Sequence, residues 1–398
     1  MVEALHPSVG SASFGSLMHR WPKLHVAQIS FFADPQGRAP EQLLLDWPTL
    51  VDVAEAASRA GIRVSVVQAC KSSQHLIRNG VSYHFLPFGR GIATVRGTAG
   101  PLAELLRKLA PEVLHVQGLG FAHDVLSLVA HTTGIPLLLQ DHANRPPRPW
   151  RRRIWRRGLA VASGISFCSK QQAQAFVTAG HIQPRTKVYE IPESTSRFTP
   201  GNKEEARRAT GVEGSPLLLW VGHLDANKDP LTMLEGISKV APALPELQVY
   251  CCFGTAPLLH AVQRRIAVDP LLRGRVHLLG PVPHERIEQL MRAADFFVLG
   301  SHREGSGYSL IEALACGLPP VVTDIPSFRS LTGAGIVGAL WQCGDPRELC
   351  HALLSLATKP QPTIREAARA HFDAELSFTA LGQKLLATYQ DLLQRQQI

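Results

Sequence analysis

Residues 304 and 312 are glutamates, and the eight positions between and around them carry the densest chemistry in the chain. The stretch Phe296-Phe-Val-Leu-Gly-Ser-His-Arg-Glu304-Gly-Ser-Gly-Tyr-Ser-Leu-Ile-Glu312 reads as a buried strand, a glycine loop and the start of a helix. Such a junction is an anion site, because the first N–H groups of a helix lack intrahelical acceptors and lie at the positive dipole end. Glu312 would stand roughly 7–8 Å along the helix axis from Gly307, at ~1.5 Å per residue. A ligand with phosphate at one end and hydroxyls at the other fits that spacing. The helix is expected to stop at Gly317, with Pro319 and Pro320 leading into the next strand.

Three further groups could join it. Lys228 follows a strand and a Gly222-His223 turn, where a fixed positive charge could meet phosphate. His142 lies just past the strand Pro136–Gln140, at the strand end where α/β folds place ligand contacts. Arg145 to Arg157 holds seven arginines. At helical spacing Trp150, Ile154, Trp155, Gly158, Leu159 and Val161 share one half, and Arg152, Arg153, Arg156 and Arg157 share the other. This reads equally as a packed helix with a solvated back and as a patch for anionic lipid head groups or an anionic acceptor. Nucleic acid is disfavoured, since the aromatics do not interleave with the arginines.

These groups must be positioned by the elements around them. Strand-length apolar runs alternate with helical spacing, which predicts parallel sheets covered on both faces. In the first half the strands are Leu24–Phe31, Ile62–Gln68, Ser82–Leu86, Val113–Val116, Pro136–Gln140, Ile165–Cys168 and Val188–Ile191. Helices are expected at Leu50–Ala60, Leu102–Leu109, Ala122–His131, Trp150–Val161 and Lys170–Ala179. Residues 192–202, rich in Pro, Gly and hydroxyls, interrupt the alternation and read as a linker. It then restarts with strands at Leu217–Val221, Gln248–Phe253, Val276–Leu279, Phe296–Leu299, Val321–Thr323 and Ile336–Ala339. The tail is helical from Arg365 to Gln394, with a break near Ser377. The expected organisation is an N-terminal Rossmann-like acceptor domain at 1–195, a C-terminal Rossmann-like donor domain at 196–375, and a final helix at 376–398 packing back on the first domain.

At 398 residues, with 45% hydrophobic and 18% charged residues, the chain can build two large cores. No apolar run approaches the ~18 residues of a membrane span. Met1 to Met18 lacks the basic and apolar regions of a signal peptide and reads as a loose leader. Seven cysteines without a Cys-x-x-Cys pair suit buried, reduced thiols in a cytosolic protein. The net charge of +9 is uneven. Residues 1–200 carry 22 Lys and Arg against 12 Asp and Glu, and the remainder carries 19 against 20. An anionic surface or substrate would therefore meet the first half.

Glu304-x7-Glu312 in its strand–loop–helix setting, with Ala315-Cys-Gly-Leu-Pro319 after it, resembles the retaining GT-B glycosyltransferases of family 4, the glycosyl transferases group 1 set. Trp220-Val-Gly-His-Leu-Asp-Ala-Asn-Lys-Asp-Pro230 is similar to the family's Gly-Arg-Leu-x-x-x-Lys-Gly stretch. His223 stands where the family usually has Arg, and Asp229 where it often has Gly. The usual Gly-Gly pair after the first strand is missing from Phe32–Pro40, where only Gly37 is present. Pro192-Glu-Ser-Thr-Ser replaces the usual Asn-Gly of the linker.

The resemblance implies a GT-B fold of two Rossmann-like domains facing across a cleft, and transfer of a sugar from a nucleoside-diphosphate donor, UDP- or GDP-linked, with retention and without a cofactor. It implies catalytic roles for His142, Lys228 and Glu304. Donor contacts would come from Gly222, His223, Lys228, Ser306, Gly307, Tyr308, Ser309 and Glu312, with Glu304 near the sugar and Glu312 at the ribose. His115 is similar to a family histidine but reads as structural. No Asp-x-Asp and no His/Cys cluster of ligand spacing occurs, so no metal site is expected. The acceptor would be a glycan, a lipid-linked sugar or a small metabolite, and the protein cytoplasmic, with peripheral contact at the inner membrane face. A non-catalytic nucleotide- or sugar-binding protein and a nucleotide-sugar epimerase on the same fold remain the alternatives.

Overall fold

The apolar runs form strands wherever both faces can be buried. In the computed structural model, which describes residues 24–87, 95–183 and 186–396, runs such as Leu217-Leu-Leu-Trp-Val221 lie inside parallel sheets. The expected leader, Met1 to Met18, lies outside the described residues.

The first sheet contains β1 (His25–Ser30), β2 (Arg63–Ala69), β3 (Gln74–Arg78), β4 (Val81–Leu86), β5 (Val113–Gln117), β6 (Leu137–Gln140), β7 (Gly164–Phe167) and β8 (Lys187–Glu190). Its order is β3-β4-β2-β1-β5-β6-β7-β8, parallel except for β3 against β4. The second sheet is wholly parallel. It holds β9 (Leu217–Val221), β10 (Gln248–Cys252), β11 (Val276–Gly280), β12 (Phe296–Leu299), β13 (Pro320–Thr323) and β14 (Ala339–Trp341), in the order β11-β10-β9-β12-β13-β14.

Strand order reverses between β1 and β5 in one sheet and between β9 and β12 in the other. Loops leaving the strand ends at such a switch point diverge and open a crevice. The glycine loop and the Lys228 turn both leave the second switch point.

Some expectations shift. β3 was not expected, although Asn79-Gly80 is a hairpin signal; the two residues sit at φ +48° and +79°, as a tight turn between antiparallel strands requires. The strand expected at Ile336–Ala339 is at Ala339–Trp341, because Gly338 turns the chain first. Trp150 is not on the buried half of a helix. Pro149–Arg151 forms a 3₁₀ turn, the α-helix begins at Arg152, and Trp150 is 72% exposed beneath the Arg148 guanidinium. Trp155 and Leu159 are buried, and Arg153, Arg156 and Arg157 are exposed. Cys343 and Cys350 are only partly buried, and the other five cysteines are buried and unpaired.

The final helix, Phe378–Gln396, lies against the helix Pro48–Arg59. Its Leu381, Leu385, Tyr389 and Leu392 share an apolar cluster with Val51, Ala54 and Ala57. Gly382 allows the close approach, since a Cβ there would stand 2.3 Å from the Ala56 carbonyl oxygen. Tyr389 donates or accepts a 2.8 Å bond with His115 Nδ1, and burial pushes the pKa of that histidine down to about 3.

Candidate functional site

The second switch point places Lys228 and Glu304 together. Asp225 accepts the backbone N–H groups of Asn227 and Lys228 at 3.0 and 2.9 Å, closing a tight turn after β9. Asp229 then caps the helix Pro230–Val240 through the Thr232 N–H. Gly300, just past β12, lets the two loops touch; a Cβ there would lie 3.2 Å from the Lys228 carbonyl oxygen. Lys228 Nζ ion-pairs with Glu304 Oε1, and the side chains are only 14% and 12% exposed. Such a pair is screened less than a surface one.

The loop then runs through Gly305 and Ser306 to Gly307, whose φ of +71° starts the helix Tyr308–Ala315. A Cβ on Gly307 would meet Phe328 Cε1 at 2.6 Å. Tyr308 and Ser309 occupy the first two helical positions, so their N–H groups have no intrahelical acceptor. Glu312 follows one turn later, and its Oε1 bonds His284 Nε2 at 2.6 Å. That hydrogen bond raises the His284 pKa above the usual histidine value. His223 stands apart, its Nδ1 accepting the Thr255 N–H at 3.3 Å. Gly222 donates to the Cys252 carbonyl, and its missing side chain leaves space beside the Lys228 stem.

His142 faces this wall from the first half. Its Nε2 lies 2.7 Å from Gln117 Oε1 and its Nδ1 3.2 Å from Glu193 Oε2. Neither bond is to Lys228 or Glu304. Glu193 is the residue the sequence reading passed over, because it sits in a stretch with linker composition. It is 4% exposed, and its Oε2 also accepts the Tyr308 hydroxyl at 3.3 Å. Its backbone N–H donates to Ser306 Oγ at 2.8 Å. Gln172 Nε2 donates to the Glu304 and Gly305 carbonyls at 2.8 and 3.1 Å, so two further residues of the first half grip the glycine loop. Asp141, beside His142, accepts the Asn144 N–H at 3.0 Å. Burial, with a smaller effect from Glu193, pushes its pKa up to about 7.

The first switch point opens a cavity of about 1020 Å³, with Phe32, Trp47, Gln117, Phe121, His142 and Arg151 among its lining residues. Arg38 in the same wall is neutralised by Asp34 at 3.0 Å and Asp46 at 2.8 Å.

Residues 202–371 match the family model "Glycosyl transferases group 1", and residues 49–193 match "Glycosyltransferase Family 4". The chain belongs to family 4 of the GT-B glycosyltransferases. The chain is 31% identical over 240 residues to a D-inositol 3-phosphate glycosyltransferase of Geodermatophilus obscurus, covering 58% of this chain and 53% of that one. Similarity to the protein of that name from Mycolicibacterium vanbaalenii is 26% over 275 residues, covering 65% and 60%. The chain thus spans about half the length of the curated relatives it matches. The GT-B fold is shared with a glycosyltransferase from Rickettsia africae at a TM-score of 0.70 and 15% identity, covering 94% of this chain and 99% of that one. It is shared also with Anabaena HepE in complex with UDP, at a TM-score of 0.68 and 17% identity, covering 92% and 100%.

Proposed function

We propose that this family 4 protein is a retaining glycosyltransferase that moves a sugar from a UDP- or GDP-linked donor to an acceptor held in the first half. The observation that carries the reading is the Lys228–Glu304 pair, set against a glycine loop and helix start with Glu312 one turn on. In this reading the first helical N–H groups and Lys228 stabilise the departing diphosphate, where charge develops, without a metal. Glu312 takes the ribose hydroxyls and Glu304 lies at the sugar. His142 faces the sugar from the other half. The phosphate itself assists departure from the front face. HepE, a structural neighbour, has been solved with UDP-glucose, which makes that donor the first probe.

The acceptor cavity includes the aromatic rings of Phe32, Trp47 and Phe121, and Arg151 supplies a cation with no ion-pair partner among the described residues, which suits an acceptor with one anionic group. No described helix is long and apolar enough to cross a membrane. In the proposed cellular setting, the cytoplasm, the Arg145–Arg157 region touches anionic lipid peripherally.

The test is turnover of UDP-, GDP- and ADP-sugars, with release of free nucleoside diphosphate as readout. Tight nucleotide binding with no turnover of any donor would support the non-catalytic reading. A sugar changed without any acceptor would support an epimerase.

A further inference from the structure

We propose that Glu193 is a positioning residue for His142, locking its ring only while the two halves of the chain are closed on each other. The inference rests on the reading that His142 meets the donor sugar. Three independent observations carry it.

First, Glu193 is buried and yet incompletely satisfied. One carboxylate oxygen is shared by His142 Nδ1 and the Tyr308 hydroxyl, and the other, Oε1, has no hydrogen-bond partner. A carboxylate kept in that state costs stability, so packing alone does not account for it. Second, the room for it comes from the opposite half. A Cβ on Gly305 would lie 2.1 Å from Glu193 Oε1, and the Glu193 N–H is fixed by Ser306 Oγ at 2.8 Å. The carboxylate therefore has this position only when the glycine loop is docked. Third, the ring it holds spans the seam to the acceptor cavity. A carboxylate at Nδ1 places the proton on that nitrogen. Nε2 then needs a donor, which Gln117 supplies by turning its amide from the 2.7 Å Oε1 contact; on the cavity wall it is the nitrogen that can exchange its bond for one to a ligand.

Closure thus sets the ring. Separation of the halves would remove Ser306 and Tyr308 from Glu193 and leave Gln117 as the remaining fixed hold on the His142 ring.

The experiment compares the full chain with Glu193→Gln by NMR of histidine labelled with ¹⁵N in the ring, the His142 signals being those absent from His142→Gln. The expected result is a changed Nδ1/Nε2 tautomer pattern for His142 in Glu193→Gln. In UDP-glucose turnover, kcat should fall at least about tenfold while KM for the donor stays within about twofold, because the general positioning loss falls on the reacting centre. An unchanged ring pattern overturns the proposal, whatever the activity. Loss of donor affinity with kcat retained also overturns it. If the parent turns over no nucleotide-sugar while the ring pattern still responds, the positioning holds and the proposed activity fails. Should Glu193→Gln not fold, Tyr308→Phe removes one of the two bonds to the same oxygen. It should move the ring pattern in the same direction by a smaller amount, and no movement overturns the proposal.

Discussion

Lys228 Nζ and Glu304 Oε1 pair directly across 76 residues of sequence, at the point where strand order reverses in the second sheet. Each partner keeps the other's charge tolerable in a nearly closed crevice. A donor diphosphate entering there would share Lys228 with Glu304, so removal of the lysine harms both binding and turnover. Lys228→Met should lower nucleotide-sugar turnover by at least about 100-fold, the scale of losing one charge-stabilising group. Nucleoside diphosphate affinity should fall about tenfold, or about 1.4 kcal/mol. Calorimetric titration with UDP and GDP beside a turnover assay checks both; unchanged values for each would remove Lys228 from the donor site.

The glycine loop tolerates no side chain at 305. Gly305→Ala would drive a methyl group into Glu193 Oε1 and against the Ala143 N–H. Overpacking of this kind costs about 1–3 kcal/mol, and here it acts as a wedge between the halves. We expect lower stability in urea and a larger radius of gyration in solution scattering. Gly254→Ala is the control. Its nearest neighbour would be His223 Cε1 at 3.6 Å, so the change should stay within about 0.5 kcal/mol.

The alternation of apolar runs was enough to place most strands, because parallel strands buried on both faces leave continuous signals such as Leu217–Val221. Lys228, Glu304 and the helix start were legible for the same reason: each follows a strong strand at a turn. Glu193 was not. Its role arises from burial against Ser306 of a loop 113 residues away, and a glutamate between Pro192 and Ser194 carries no local sign of that. The His284 contact to Glu312 was equally hidden, since it joins two helices through side chains alone. Trp150 misled through periodicity, because Pro149 delays the helix and turns the indole outward.

Asp141 gives a stability change with a defined sign. Its pKa rises from 3.8 to about 7 on folding, through burial first and Glu193 second. The folded state therefore binds the proton more tightly. The favourable contribution is complete below pH 3.8 and is lost as pH rises to about 7. Asp141→Asn keeps the acceptor for the Asn144 N–H and removes the titration. It should flatten the stability slope between these limits and stabilise the protein at pH 8 by at most on the order of 4 kcal/mol. Urea unfolding at pH 5 and pH 8 measures it. A parent slope retained in the variant would assign the titration to another group.

The Glu312–His284 bond predicts a pH-dependent donor site. The folded His284 pKa is raised above 6.5, chiefly by its hydrogen bond to Glu312. Its stabilising effect is present below 6.5 and fades as pH rises through the raised value. Over the same range Glu312 loses its orienting partner. His284→Ala should weaken UDP binding about three- to tenfold at pH 6, the worth of one partly exposed charged hydrogen bond, and much less at pH 8.5. Glu312→Ala should weaken it at both values. Equal UDP affinity for His284→Ala and parent at pH 6 would sink the orienting role.

The exposed Trp150 changes the expectation for the arginine segment. A helix with its tryptophan buried would present only charge to a membrane, and binding would vanish with salt. Here the indole stands 72% exposed beside Arg148, with Arg153, Arg156 and Arg157 exposed on the following helix. An amphipathic ring beside cations is suited to the head-group region, where each arginine near an anionic surface contributes about 1 kcal/mol. Co-sedimentation with vesicles of phosphatidylcholine and phosphatidylserine should fall in the triple Arg153/Arg156/Arg157→Gln variant. It should fall further on raising the salt to ~0.5 M, where screening is short-ranged. Trp150→Ala should remove the fraction that survives high salt, since that part rests on burial of the ring rather than on charge. Binding indifferent to salt and to all four substitutions would end the proposed membrane role of this segment.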